Sequence, residues 1–322
     1  MKEYFKILKQ EVICKLFNNG VSKEHAEIIA DCFVTADIYG VTTHGVAILP
    51  THIKRIQQGN YNLFPKMRVV RETSAFAVVD GDNAIGPVSA TFCMRYAIDK
   101  CKQSGIYTVF SRNNNTFGPA FYYPLIAAKE GFIGIALSNS PAQMAPFGGK
   151  EKMIGTNPFS IVIPNGNEPI ILDMATSVVA KSKFKEYKEA GKQLPDGWAL
   201  NANGEPTIDP DEAINGLIMP MAGFKGYGIA MMIDILSGVL SGAAYLNKVG
   251  RFYTESKNGM NIGFQFTVID PKQVLGEEYD NIIAEYVSLL RNSKRIEGKT
   301  IILPGDDRLN HKRNCLNEDF AN

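Results

Sequence analysis

The 322-residue sequence has only five cysteines, Cys14, Cys32, Cys93, Cys101 and Cys315, odd in number, scattered and without a CxxC pair. That excludes a disulfide framework, and no Cys or His grouping has zinc-ligand spacing, so no metal is expected. Reduced, mostly buried thiols suit a cytoplasmic protein. Long apolar runs are missing as well. The start, MKEYFKILKQEVICKLF, interleaves charge with apolar residues, unlike a signal peptide. The richest apolar stretch, Gly228 to Leu240, is broken by Asp234 and is too short to span a bilayer. Neither sign of charge dominates: 34 basic residues face 33 acidic ones, a formal charge of +1. No global field would draw nucleic acid or an anionic membrane. With 45% hydrophobic and 21% charged residues the chain can still bury a sizeable core.

Several familiar motifs are absent. There is no GxxxxGK[ST] P-loop and no GxSxG nucleophile elbow. Gly226-Tyr227-Gly228 lies near a helix start but lacks the third glycine and the preceding strand of a dinucleotide fingerprint. An ordinary Rossmann unit is not what this sequence advertises.

What is present is a helical start followed by a mixed middle. Apolar residues recur at helical spacing from Tyr4 to Phe17, and Ser22 opens a second helix running to about Tyr39. A third helical stretch, from about Thr43 to Gln58, carries Pro50, which places a start or a kink there. Strands are predicted at 67–72, 74–80, 106–111, 132–138, 159–164, 170–174 and 264–269. Between them lie helical patterns at 88–103 and 119–130. Residues 182–210 read as loop. A long helix over Lys225–Gly242, apolar on more than one face, is predicted to be buried, and 280–292 is an amphipathic helix.

Histidine is scarce: His25, His44, His52 and His311 are the four. His25 and His311 sit among charged residues and read as surface positions. His44, between Thr43 and Gly45, is placed to donate a proton to a carbonyl oxygen near its working pKa. His44, Ile48 and His52 share one helical face by spacing, and His52 reads more simply as a packed ring. Glycine-rich joints are the other signal: Pro146-Phe147-Gly148-Gly149, Gly155-Thr156-Asn157-Pro158, Asp173-Met174-Ala175-Thr176-Ser177 and Gly223-Phe224-Lys225-Gly226-Tyr227-Gly228. Backbone amides at such joints hold phosphate or ribose oxygens, and Lys225 adds a cation. Each alone is explained by turn geometry; four together point to a shared ligand site.

These segments, in this order, make the chain resemble the type-2 malate/L-lactate dehydrogenase family, which includes ureidoglycolate dehydrogenase, sulfolactate dehydrogenase, diketogulonate reductase and cyclic imino-acid reductase. The resemblance also rests on Ala36-Asp37, Thr43-His44-Gly45, Arg55-Ile56-Gln57-Gln58-Gly59, Pro195-Asp196-Gly197-Trp198-Ala199 and Ile235-Leu236-Ser237-Gly238-Val239-Leu240-Ser241-Gly242. It implies an α/β, non-Rossmann nicotinamide-binding fold with a mixed central sheet and a helical domain formed by both chain ends. On that basis residues 67–242 would bind the cofactor, and 1–66 plus 243–322 would form the helical, substrate and dimerisation domain. It further implies NAD or NADP as cofactor, a small-molecule substrate, a homodimer, and hydride transfer to or from a carbonyl, a 2-hydroxy acid or an imine. Ser140, Asp173, Met174, Ala175, Thr176, Lys225, Gly305 and Asp306 would contact the cofactor, and His44 would be the proton donor.

The departures concern the substrate pocket: Ile48, His52 and Thr116. Ile48 stands where the family usually carries an arginine suited to a substrate carboxylate, and Thr116 where it carries a second histidine. His52 stands where a tyrosine is common, and Phe264 where a histidine is. Two readings follow. Either the protein is a reductase with a reshaped pocket, with His52 or Lys54 taking over the anchoring, or the scaffold has lost redox catalysis and binds a ligand.

Overall fold

The computed structural model describes residues 3–166, 168–253 and 259–317. Its centre is a seven-stranded mixed sheet. In chain order the strands are β1 (Arg68–Glu72), β2 (Phe76–Asp80), β3 (Ile106–Asn114), β4 (Ile133–Ser138), β5 (Phe159–Ile163), β6 (Ile170–Met174) and β7 (Ile262–Ile269). They lie in the order β1-β2-β3-β7-β4-β5-β6. Only β2 and β3 run parallel, because α4 (Gly86–Ser104) carries the chain back between them; every other pair is antiparallel. The last strand in sequence therefore lies in the middle of the sheet, although it falls within the stretch expected to join the chain ends.

Alternation sets the faces. In β7, Phe264, Phe266 and Val268 are fully buried, whereas Thr267 on the other face bonds Thr108 of β3 (2.9 Å). Burying each such apolar side chain contributes roughly 1.5–3 kcal/mol. The rings meet Phe117 and Tyr123, and the same core takes in Phe33, Met94 and Tyr107. The helices of the chain start pack onto it. They are α1 (Glu3–Phe17), α2 (Lys23–Ile38), whose N-cap Ser22 accepts from the His25 amide, and α3 (Leu49–Gln57), with Pro50 in its first turn. α5 (Tyr122–Lys129) lies on the sheet.

Two expectations are corrected. The stretch 182–210, read as loop, contains α6 (Ser182–Glu189). Its sequence SKFKEYKE is almost wholly polar, and one fully buried ring, Phe184, anchors it. The long helix expected over Lys225–Gly242 is α7 (Phe224–Ile233) running into a π-helical turn, Asp234–Val239, and it is not buried all round. Ala230, Ile233 and Ser237 face inward, but Met232 is 47% and Leu240 54% exposed, with Ile229, Ile235, Leu236 and Val239 beside them. The segment is apolar on more than one face, and what its outer face lacks is a covering surface from the described residues. Two further helices close the chain, α8 (Tyr279–Arg291) and α9 (Asp306–Asn317). Among the described residues no helix is long and apolar enough to cross a membrane, and no cysteine is in a disulfide.

Candidate active site

The glycine-rich joints converge. The Ser140 amide donates to Asn157 Oδ1 (3.0 Å), and Asn157 Nδ2 donates to the Ala230 carbonyl of α7 (2.9 Å). Gly155 sits where any Cβ would overlap Ser140, so glycine is required for this approach. The Thr176 amide and hydroxyl both donate to the Thr156 carbonyl (each 2.9 Å). The Met221 amide then donates to the Thr176 carbonyl (2.9 Å), and the Gly226 amide to the Met221 carbonyl (3.0 Å). Phe147 meets the Phe224 ring edge-on at 5.6 Å. One continuous network thus links Ser140, Thr156, Asn157, Thr176 and the first turn of α7.

That turn suits an anion. The leading amides of a helix have no intrahelical acceptor, and Lys225 is exposed with no partner among the described residues. Beside it a cavity of about 360 Å³ is lined by Pro146, Tyr227, Met231, Asp234 and Leu246. Asp234 is held by Asn139 Nδ2 (3.1 Å) and the Leu246 amide (3.0 Å), and burial raises its pKa. The Lys225 ammonium and the leading amides of α7 at Phe224 and Lys225 fit a dinucleotide's phosphates.

The network continues through Ala175 and Met174 to Asp173 at the end of β6. The segment at 304–308 runs alongside: the Ile171 amide donates to the Pro304 carbonyl (3.0 Å), and Arg308 Nη2 reaches both the Asp173 carboxylate (2.8 Å) and its carbonyl (3.1 Å). Gly305 packs directly on Ile171. Burial raises the Asp173 carboxyl to about 6 in spite of Arg308. The Asp306 carboxylate is taken up within the fold, by both terminal nitrogens of Arg291 (2.6 Å each) and by the Leu303 amide (2.8 Å).

His44 occupies a 3₁₀ turn, Thr42–His44, after α2. Asp37 anchors this loop by accepting the Val46 amide (3.0 Å), and a side chain at Gly45 would overlap the Asp37 carboxylate. Thr43 Oγ1 lies 3.0 Å from His44 Nδ1. With Nδ1–H donating to that hydroxyl oxygen, the neutral ring keeps its lone pair on Nε2. The residue is reachable from solvent, yet protein crowds the ring on its remaining sides. That burial, and secondarily the charge of Arg308, holds His44 below the usual imidazole value.

The other pocket candidates are elsewhere. His52 is fully buried between Phe33, Tyr61 and Phe252, with Nδ1 3.1 Å from the Tyr61 hydroxyl and no partner for Nε2 among the described residues. Ile48 packs against the main core. The Thr116 carbonyl lies against Gly86 at the start of α4, beside Asn115, which bonds the Asn83 and Ala84 carbonyls. None of the three joins the network. Sequence reasoning passed over Arg308. Its signal was available: a cation in the first turn of a helix opposes the helix dipole and needs an acidic partner.

Comparison with known proteins identifies the family. Residues 5–320 match the family model described as malate/L-lactate dehydrogenase. The chain is 41% identical to a malate dehydrogenase of Pyrococcus horikoshii, over 86% of this chain and 78% of the relative. It is 38% identical to an NAD(+) ureidoglycolate dehydrogenase of Escherichia coli, over 84% and 77%. The solved sulfolactate dehydrogenase of Methanocaldococcus jannaschii superposes with a TM-score of 0.90 at 38% identity, covering 96% of this chain and 89% of that one. Relatives named for NAD(+) and for NADP(+) both occur. The chain belongs to the malate/L-lactate dehydrogenase family. The expected family and its mixed α/β architecture are borne out.

Proposed function

We propose that this protein is an NAD(P)-dependent oxidoreductase acting on the carbinol carbon of a small hydroxy acid, or on the matching carbonyl or imine. The observation that carries this reading is the joined network: Ser140, the Thr156–Thr176 pair and the start of α7 are bonded together and run along the chain into Asp173, whose partner Arg308 acts electrostatically on His44. Ser140, Asp173–Thr176, Lys225 and the backbone at Gly305–Asp306 would hold the cofactor. The bound nicotinamide accepts or supplies the hydride. His44 Nε2 takes the hydroxyl proton in oxidation and returns it in reduction, while Thr43 fixes the ring. A lowered His44 pKa keeps the imidazole neutral at pH 7, ready to act as a base.

The outward apolar stripe of α7 and its π turn supports a homodimer, since an uncovered stripe of this kind marks an interaction surface. A second reading, loss of redox chemistry with ligand binding retained, is favoured by Ile48 and Thr116. Titrating the protein into NADH and NADPH and following nicotinamide fluorescence decides between the two. Binding of at least one, followed by turnover of a 2-oxo acid or imine, is expected; binding of neither sinks the oxidoreductase reading.

A further inference from the structure

We propose that Arg308 is the residue that anchors the substrate's carboxylate, supplying from the C-terminal helix the guanidinium that position 48 lacks. The inference rests on the oxidoreductase reading above and specifies its substrate as an acid whose carboxylate adjoins the reacting carbon.

The placement comes first. Arg308 and His311 lie three residues apart on one face of α9. His311 Nδ1 sits 3.1 Å from the Ile38 carbonyl at the end of α2, and its ring closes over Gly40. That face of α9 therefore meets the chain just before the His44 turn. The guanidinium stacks over Phe121 at 5.3 Å, and the side chain is only 20% exposed, so it is partly desolvated and sterically fixed. The same charge acts on the His44 ring.

The donor geometry follows. Both bonds to Asp173 are made by one nitrogen, Nη2. Nε and Nη1 have no acceptor among the described residues, which leaves one side of the fork for a second carboxylate. In a 2-hydroxy or 2-oxo acid the carboxylate carbon is bonded directly to the carbon whose oxygen exchanges a proton. A cation that binds it must stand close to the acid–base group, and the packing of His311 on Ile38 and Gly40 brings the Arg308 face of α9 to the segment that leads into the His44 turn. Lys225, across the network at the start of α7, is placed for cofactor phosphate instead. Asp173 holds the fork in register through Nη2.

The test uses oxamate, an unreactive mimic of a 2-oxo acid, and its neutral methyl ester. Binding of each to the full-length protein is measured by calorimetry, with and without saturating NADH or NADPH. Wild type should bind oxamate and discriminate against the ester. Arg308→Met should weaken oxamate by about 100-fold and the ester by less than twofold, and Arg308→Lys by about tenfold, since it keeps charge but not the fork. The double variant D173N/R308M leaves no buried charge unpaired, so it must show the same acid-selective loss if Arg308→Met alone misfolds. Wild type that ignores oxamate, equal losses for acid and ester, or a loss confined to NADH and NADPH affinity overturns the assignment. Failure of NADH and NADPH to bind would overturn the oxidoreductase reading, while the oxamate titrations without cofactor would still decide Arg308.

Discussion

Two imidazoles eight residues apart meet opposite surroundings. His44 lies on a solvent-reachable turn with Thr43 on one ring nitrogen and the Asp173–Arg308 pair nearby. His52, inside α3, is sealed among Phe33, Tyr61 and Phe252, with Arg55 buried beside it. Burial lowers both pKa values, and an arginine adds to each: Arg308 for His44, Arg55 for His52. The outcome differs because a neutral ring that substrate can reach is a base, whereas a neutral ring with no access is core. Perturbed titration marks a functional site only together with access.

The largest break in this comparison is His44→Ala. Removing the acid–base group should lower kcat by about 10²–10⁴-fold, with cofactor affinity within about twofold of wild type. Turnover in wild type should also lose the oxidation direction as pH falls through a value below 6.5, when the ring is protonated, and gain the reduction direction over the same range. Wild-type kcat in the variant would remove His44 from its role.

His52 should show itself through stability, not rate. Its ring stays neutral in the native state down to about pH 3, whereas the unfolded imidazole takes up a proton below 6.5. The unfolded state therefore binds more protons across that window, and stability falls as pH falls, by on the order of 5 kcal/mol in total. His52→Phe keeps an aromatic ring among its neighbours, and Tyr61 still receives Arg55 Nε (3.1 Å). Denaturant melts at pH 7 and pH 4 should show a shallower acid loss in the variant and unchanged kcat at pH 7. An identical acid slope would mean that His52 titrates normally.

The contrast also shows what could be read from sequence. Helical spacing put His44, Ile48 and His52 on one face, but the chain makes two 3₁₀ turns, Thr42–His44 and Val46–Ile48, before α3 begins at Leu49. The face that spacing predicted therefore never forms. What breaks it is tertiary: Asp37, nine residues upstream, captures the Val46 amide. Strands were legible because period-2 alternation and turn residues are local, as at Ile170–Met174. The joints at 155–158 and 173–177 were visible as glycine-rich turns, but only the fold shows that Thr176 and Thr156 bond each other. Arg308 was hidden because its partner, Asp173, lies far away in sequence on the edge strand β6.

The finest test concerns the hydroxyl behind His44. Thr43→Val keeps the shape and removes Oγ1, so Nδ1 loses its partner while Nε2 keeps its place. Because this pair is exposed, water replaces much of the bond, and the net loss should be about 1 kcal/mol. That corresponds to a fall in kcat of several-fold, with KM for the acid unchanged, because Arg308 still holds the carboxylate. Thr43→Ser should restore the rate, since only the hydroxyl matters. If valine and threonine give the same kcat, the tautomer of His44 is set by something other than Thr43, and accessibility alone separates the two histidines.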